Sequence, residues 1–119
     1  MLKNRQFYHR LGFAISGIFE AWKRERSFRT QVFLGLAAAV FTVAIAPGWV
    51  WGAVVALSIV LVLALELLNT ALEGLIDKLH PSAAPEIKLA KDVAAGAVLI
   101  ASIGAGIVGL LMIVSRFWR

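Results

Sequence analysis

One face of a predicted helix carries four polar residues, Glu66, Asn69, Glu73 and Asp77. Their spacing of three, four and four residues confines them to a sector of about 80° when successive residues turn by about 100°. Glu66 and Asn69 lie within an apolar stretch, where ionisable side chains are costly and usually functional. A polar packing seam is the alternative, because Asn and Glu also form hydrogen bonds between membrane helices. The alignment of all four groups favours a functional site.

Further charged residues flank the apolar segments. Glu25 lies in a basic stretch before the first apolar run, and Lys91 and Asp92 directly precede another. Phosphoryl transfer uses such a set, because it requires positioning, metal ions, a cation and a base for the attacking hydroxyl. Mg²⁺ prefers one or two carboxylates together with phosphate oxygens, which Glu25 and Glu73 can provide. Glu66, which lies deeper in the apolar layer, suits the general base.

These residues also fit functions of another class. A small proton-coupled transporter needs a buried carboxylate such as Glu66, and a channel-forming oligomer needs apolar helices. Neither has a use for the adjacent Lys91 and Asp92. Lys91 is equally consistent with a flanking lysine whose ammonium extends to the membrane surface. Phosphorylation of a lipid hydroxyl is therefore consistent with these residues but is not required by them.

Composition and charge distribution predict the elements that position these residues. Of the 119 residues, 61% are hydrophobic and 16% are charged, whereas soluble domains are about 45–50% apolar and about 25% charged. A soluble globular domain is therefore excluded. The chain lacks cysteine, which excludes disulfides and thiolate metal sites. Residues 30–65 and 93–115 contain no charged side chain, and Pro47-Gly48 interrupts the first of these runs, as expected of a turn.

An all-α membrane protein follows from this pattern. Since about 20 apolar residues span a bilayer, we predict transmembrane helices over 30–46, 49–72 and 93–115, within a single integral-membrane domain, 1–119. The preceding segment 5–26 is predicted to be an amphipathic helix at the membrane surface, or a simple anchor. Its apolar stripe consists of Phe7, Leu11, Ile15, Ile18 and Trp22.

The distribution of Lys and Arg predicts the topology. These residues are frequent before residue 30 and present in 73–92, but absent from the turn 47–51. Because cytoplasmic flanks are enriched in Lys and Arg, the N-terminus and the predicted loop 73–92 are expected in the cytoplasm and the C-terminus outside. The net charge of +5 then favours anionic lipid headgroups, and no nucleic-acid partner is expected.

Small residues recur on the third predicted span. Its period-4 small face consists of Ala97, Ala101, Ala105 and Gly109. Such faces allow helices to approach closely, and three helices are too few to shield the polar face from lipid. We therefore predict a homo-oligomer.

Two blocks of the sequence resemble the prokaryotic integral-membrane diacylglycerol kinase family. The first is ELLNTALEGLID over 66–77, the second is AKDVAAGAV over 90–98, and residues 21–29 resemble the family's N-terminal motif. The resemblance covers nearly the whole chain. It implies a homotrimer of three-span protomers with an N-terminal surface helix, located in the bacterial cytoplasmic (inner) membrane. The implied activity is transfer of the γ-phosphate of ATP to a lipid alcohol.

The resemblance also implies residue roles. Glu66 matches the catalytic base, and Asn69 matches a polar residue that helps to hold the base and the lipid. Glu25 and Glu73 match carboxylates that bind Mg²⁺. The implied ATP-binding residues are Glu25, Glu73, Asp77, Lys91, Asp92 and Phe13. The implied lipid-binding residues are Trp22, Arg29, Glu66 and Ala95.

The chain departs from the family pattern at several positions. Gln31 replaces a third carboxylate, Phe13 replaces a Tyr that packs on the nucleotide, and Gln6 replaces an Arg. Residues 82–84 replace an acidic-aromatic-His stretch. The family default is diacylglycerol, with phosphatidic acid as product, but the block 90–98 resembles the undecaprenol kinase branch at least as closely. Diacylglycerol is the first expectation and undecaprenol the alternative.

Overall fold

A computed structural model of the chain describes residues 2–79 and 84–118, and only the backbone of residues 2–5. The regular structure of this part is helical throughout. The four helices are α1 (Leu2–Arg24), α2 (Arg26–Ile45), α3 (Trp49–Leu79) and α4 (Pro85–Phe117). Within the described residues, α2, α3 and α4 are long and apolar enough to cross a membrane. The prediction of an all-α protein with three candidate membrane-spanning helices is confirmed.

Short breaks separate the first three helices. Glu25, the residue between α1 and α2, is extended, with φ −108° and ψ 107°. At the other end of α2, Ala46 adopts a left-handed conformation (φ 48°) and its backbone N–H donates to the carbonyl of Thr42. Pro47 has no N–H to extend the helix, and Gly48 follows with φ 107°, which glycine adopts without strain. The chain thus reverses at the predicted Pro47-Gly48 turn.

Several predicted helix bounds are wrong. Helix α1 covers 2–24 instead of 5–26, and α2 begins at Arg26 instead of residue 30. Helix α3 continues to Leu79 instead of ending at 72, and α4 begins at Pro85 instead of 93. The predicted loop 73–92 is therefore largely helical, with residues 80–83 outside the described residues.

The reason for these errors is that charge marks the edge of the bilayer and not the end of a helix. A helix of 31 residues, the length of α3, measures about 46 Å at 1.5 Å per residue, against about 30 Å for the hydrocarbon core. Outside the core, polar side chains support the helix, as in the pair that Lys88 forms with Asp92 at 2.8 Å. Pro85 occupies the first turn of α4, where its missing N–H costs nothing.

Helix α3 packs against both other long helices. The small buried core contains Phe28, Val55, Val62, Val98 and Met112, of which Met112 is 1% exposed. Gly35 of α2 lies so close to α3 that an added Cβ would be 2.9 Å from Cγ2 of Ile59. At the opposite end from Glu25, Nε of Arg116 donates a 2.8 Å hydrogen bond to the carbonyl of Ile45. These contacts fix the order α2, α3, α4 across the bundle.

Part of the small face of α4 lies inside the protomer. Ala105 and Gly109 line a groove of about 380 Å³ between α2 and α4, together with Gly35 and Ser102. The surface that the bundle presents outward consists instead of large apolar side chains, such as Val43 and Ile100, which are 80% and 74% exposed.

Candidate functional site

Glu66 is a buried carboxylate in the middle of α3. Only 4% of its surface is exposed. Its Oε1 accepts a hydrogen bond of 2.6 Å from Oγ of Ser27, which lies in the first turn of α2. The packing of α2 on α3 therefore supplies the donor that a buried carboxylate requires.

One helical turn further along α3, Asn69 contacts Glu73. Nδ2 of Asn69 donates to Oε1 of Glu73 at 3.4 Å, a long hydrogen bond. Oδ1 of Asn69 is buried and has no hydrogen-bond partner among the described residues. A buried acceptor without a partner is costly, so this oxygen is available to a donor from a bound molecule. The predicted polar face of α3 thus contains a buried carboxylate that accepts a hydrogen bond, an amide, a half-buried carboxylate and, at Asp77, an exposed carboxylate.

A groove of about 540 Å³ separates α1 from α3 beside this polar face. Its size falls within the range of about 300–1,000 Å³ typical of ligand pockets. The groove remains open because small residues line it on both sides: Ala14, Gly17, Ala21, Thr70, Ala71 and Gly74. Glu25 also lines it. Among the described residues, no hydrogen bond or ion pair engages the Glu25 carboxylate, which therefore remains available to a ligand.

Two ion pairs join and support the polar ends of α3 and α4. Nζ of Lys91 lies 2.7 Å from Oδ1 of Asp77, and Nζ of Lys88 lies 2.8 Å from Oδ2 of Asp92. Lys91 lies just before the charge-free run 93–115, outside the segment predicted to cross the membrane. Its hydrogen bond to Asp77 raises the pKa of the Lys91 ammonium above the ordinary value, and the charges of Glu73 and Asp92 add to this effect. The structure thus brings Asp77, Lys91 and Asp92 to one end of the bundle.

The predicted lipid-binding residues lie on four different helices: Trp22 on α1, Arg29 on α2, Glu66 on α3 and Ala95 on α4. Nη1 of Arg29 donates to the backbone carbonyls of Trp22 at 2.6 Å and Lys23 at 3.1 Å, so it caps the end of α1. The Trp22 ring lies 5.7 Å from the ring of Phe33. Ala95 is exposed on α4. The lipid-binding roles of these residues stay predictions.

The positions that depart from the family pattern are also spread out. Phe13, for which a nucleotide contact is predicted, is 75% exposed on α1, and Gln6 is exposed on the same helix. Gln31 lines the groove between α2 and α4, away from the groove that contains Glu25. Of the stretch 82–84, residues 82 and 83 lie outside the described residues.

The carboxylates of Glu25 and Glu73 suit a metal ion whose other ligands are substrate phosphates and water. No group of three or more His, Asp or Glu side chains in the described part of the chain is arranged to hold a metal ion. Mg²⁺ does not need such a group, because it is usually bound through one or two carboxylates, substrate phosphates and water. Glu25 and Glu73 are the carboxylates predicted for this role; Glu25 lines the groove between α1 and α3 and Glu73 does not, and their joint binding of Mg²⁺ stays a prediction.

Sequence reasoning missed three residues at this site: Ser27, Thr70 and Gly74. Thr70 and Gly74 line the groove and follow Glu66 by four and eight positions. Helical periodicity from Glu66 could therefore have located them. Ser27 is separated from Glu66 by 39 positions. No periodic pattern connects two residues on different helices.

Comparison with known proteins identifies the family. A family model described as prokaryotic diacylglycerol kinase matches residues 12–113. The chain belongs to the prokaryotic diacylglycerol kinase family. The resemblance inferred from the blocks 66–77 and 90–98 is therefore confirmed. The kinase family and three apolar helices support an inner-membrane protein, and the family match disfavours the transporter and the channel.

Some relatives of this chain are named diacylglycerol kinase and another is named undecaprenol kinase. It is 43% identical over 98 residues to a diacylglycerol kinase of Synechocystis, covering 82% of this chain and 56% of that protein. It is 31% identical over 111 residues to an undecaprenol kinase of Bacillus subtilis, covering 93% and 90%. It is 30% identical over 106 residues to a diacylglycerol kinase of Escherichia coli K12, covering 89% and 87%. The chain thus spans little more than half of the Synechocystis relative but most of the other two.

Proposed function

We propose that this chain is a membrane lipid kinase that transfers the γ-phosphate of ATP to the hydroxyl of diacylglycerol, with phosphatidic acid and ADP as products. The observation that carries the proposal is the buried, hydrogen-bonded Glu66 on the same helical face as Asn69 and Glu73, in a chain of this family. Residues 1–119 are proposed to belong to one integral-membrane kinase domain.

The reaction needs one base. The oxygen of the lipid hydroxyl attacks the γ-phosphorus, and the bond between that phosphorus and the bridging oxygen of ADP breaks. The hydroxyl proton passes to the Glu66 carboxylate. Because Oε1 of Glu66 already accepts from Ser27, Oε2 receives this proton. Asn69 contacts Glu73 and holds the polar face in place beside the base.

The remaining residues bind the two substrates. Glu25 and Glu73 would hold Mg²⁺, which when bound neutralises charge on the β- and γ-phosphates. The Lys91 ammonium contacts the phosphates, and Asp77 and Asp92 orient the lysines beside them. Phe13 completes the ATP site. Trp22, Arg29 and Ala95 lie along the path of the lipid, which reaches Glu66 from the membrane.

The assembly that we propose is a homotrimer in the bacterial cytoplasmic membrane. Helix α1 lies in the membrane surface with Phe7, Leu11, Ile15 and Ile18 towards lipid, consistent with their exposure in the protomer. The N-terminus and the α3–α4 connection face the cytoplasm, where ATP is available, and the C-terminus lies outside.

Undecaprenol is the second candidate substrate. The observation that supports it is the similarity to the undecaprenol kinase of Bacillus subtilis, 31% identical over 90% of that protein, which matches the similarity to the Escherichia coli diacylglycerol kinase, 30% identical over 87%. The buried base and the metal carboxylates serve either alcohol. The choice between them depends on how the lipid chain is accommodated beside α1 and α3.

Transfer of labelled γ-phosphate tests the function. Purified full-length protein in mixed micelles receives Mg-ATP labelled at the γ-phosphate, with diacylglycerol and undecaprenol in parallel reactions. Labelled phosphatidic acid supports the proposal. Labelled undecaprenyl phosphate supports the same mechanism with undecaprenol as the substrate. Absence of label in both lipids, with protein that is folded and trimeric, overturns the kinase assignment.

A further inference from the structure

The hydroxyl of Ser27 behaves differently from the other hydrogen-bonded hydroxyls of the described chain. Thr30, Thr42 and Ser58 each donate to the backbone carbonyl four residues earlier in their own helix, which is the usual local choice for such side chains. Ser27 instead donates across to another helix, to Oε1 of Glu66 at 2.6 Å.

The break between α1 and α2 explains this difference. The carbonyl four residues before Ser27 belongs to Lys23, which lies in α1 on the other side of the extended Glu25. That carbonyl accepts from Nη1 of Arg29 at 3.1 Å. The usual partner of the Ser27 hydroxyl is therefore on a different helix and already engaged, and the hydroxyl is left to reach α3.

We infer that Ser27 is a positioning residue for the reaction, and that its hydroxyl holds the Glu66 carboxylate in one orientation with Oε2 left to accept the proton of the lipid alcohol. This inference rests on the proposed function, since it requires Glu66 to be the base. Ser27 does not touch the reacting atoms. It acts only through Oε1 of Glu66.

The surroundings of Glu66 make such a positioning residue necessary. A glutamate side chain has three rotatable bonds, and a base must be held within about 0.5 Å of its productive position. Among the described residues, Ser27 is the side chain that forms a hydrogen bond with Glu66. The bond joins Glu66 to the first turn of α2, whose positive dipole end also attracts a carboxylate. Loss of the hydroxyl would leave the buried carboxylate without this contact.

The first test compares Ser27→Ala with Ser27→Thr in full-length protein, using the lipid that the labelled-phosphate assay identifies. Ser27→Ala is expected to lower kcat about tenfold, as loss of a hydrogen bond to a charged group implies. KM for ATP and for lipid should change less than about threefold, since Ser27 contacts neither substrate. Ser27→Thr keeps the hydroxyl and should recover most of kcat. Ser58→Ala is the matched control, because it removes a hydroxyl that bonds only to the carbonyl of Val54.

The second test asks whether Ser27 acts through Glu66. In the Glu66→Asp variant the side chain is one methylene shorter, so its carboxylate no longer reaches the Ser27 hydroxyl. Ser27→Ala should then reduce kcat much less than it does in the wild type, a non-additivity expected of residues in one hydrogen bond. An equal reduction in both backgrounds overturns the inference. A change confined to KM, or an unchanged kcat, does the same.

These outcomes are distinguishable from failure of the proposed function. If the wild type phosphorylates neither lipid, the function itself is wrong. If the wild type is active and Ser27→Ala matches Ser58→Ala, only the role of Ser27 is wrong. If Ser27→Ala does not fold as judged by size-exclusion chromatography, Ser27→Cys replaces it. The thiol is a weak donor of similar shape, so the kcat of Ser27→Cys should be lower than that of the wild type; a wild-type kcat for Ser27→Cys overturns the inference.

Discussion

At the scale of single residues, the chemistry of this protein depends on carboxylates in unequal surroundings. Glu66 is 4% exposed and accepts from Ser27, whereas Glu73 is half-buried beside Asn69. Glu25 lines an open groove. A buried carboxylate with one oxygen engaged suits proton transfer, and more accessible carboxylates suit metal binding. The two roles are therefore separable by substitution.

Glu66→Gln is expected to lower kcat by at least about 100-fold, because general-base catalysis contributes about 10²–10⁴-fold. Glutamine retains the shape of the side chain and an acceptor for Ser27, so the helices should pack as before. The measurement is labelled phosphate transfer together with size-exclusion chromatography. Glu86→Gln, an exposed carboxylate at the start of α4, is the control. A rate near that of Glu86→Gln would show that Glu66 is not the base.

Glu73→Gln is expected to raise the Mg²⁺ concentration for half-maximal activity by about tenfold or more, as loss of a group that supports a metal ion does. Excess Mg²⁺ should restore part of the rate, because the base is intact. The measurement is a Mg²⁺ titration at saturating ATP and lipid, again with Glu86→Gln beside it. An unchanged titration curve would contradict the role of Glu73 as a metal ligand.

At the scale of elements, the positions of the helices relative to one another determine the site. The single extended residue Glu25 turns α1 into α2, and Arg29 holds the end of α1 through two backbone carbonyls. Gly35 permits the close approach of α2 and α3, which brings Ser27 to Glu66. The pair formed by Asp77 and Lys91 connects α3 to α4. Each of these contacts joins two helices that carry site residues.

Lys91→Ala is expected to raise KM for ATP, because it removes a cation from the end of the bundle where we propose that the phosphates bind. The ammonium remains protonated across the assay range, since its hydrogen bond to Asp77 raises the pKa of Lys91. The wild-type contribution of Lys91 should thus be constant with pH and should disappear only as the pH rises past that raised pKa. Steady-state kinetics measure KM, and Lys78→Ala, which removes an exposed lysine near the end of α3, is the comparison. An unchanged KM for ATP in Lys91→Ala would contradict the proposed contact of Lys91 with the phosphates.

Gly35→Ala is expected to destabilise the protein by about 1–3 kcal/mol, the usual cost of overpacking. The added Cβ would lie 2.9 Å from Cγ2 of Ile59, and the β-branched Ile has little freedom to move aside. Thermal unfolding in detergent measures the change. Gly52→Ala is the control, because a Cβ at that position has nothing within 4 Å. Gly35→Ala should cost much less stability in an Ile59→Ala background than in the wild type, because the contacting Cγ2 is then absent; equal costs in the two backgrounds would show that the close contact is not the cause.

At the scale of the whole molecule, the protomer leaves much apolar surface uncovered. Large side chains on all three long helices are exposed, among them Phe33, Leu57 and Leu110. Lipid covers such faces, but the half-buried Glu73 on the polar face of α3 is unfavourable in contact with lipid. Association of copies would cover this carboxylate. The large outward-facing side chains provide the contact area, because part of the small face of α4 already lines the groove inside the protomer.

Amine cross-linking of native membranes is therefore expected to give trimers as the largest major species. The exposed lysines at the ends of α1, α3 and α4, such as Lys23, Lys78 and Lys88, provide the reactive groups. Dilution into excess mild detergent before cross-linking should leave the trimer band largely unchanged, because dilution removes collisions between separate protomers but not a specific assembly. Membranes that yield only monomer would contradict the homotrimer.

The sequence by itself determined the number of candidate membrane helices, the polar face from Glu66 to Asp77 and, through two motif blocks, the family. These features are local, since the bilayer requires long uncharged runs and helical geometry follows from spacing alone. Tertiary structure decided which groups meet: Ser27 with Glu66, Asp77 with Lys91, and Arg29 with the end of α1. It also decided how far α3 and α4 extend beyond the bilayer. Such contacts depend on how packed helices rotate and approach one another, and that depends on the whole set of side chains between them, not on any spacing within one segment.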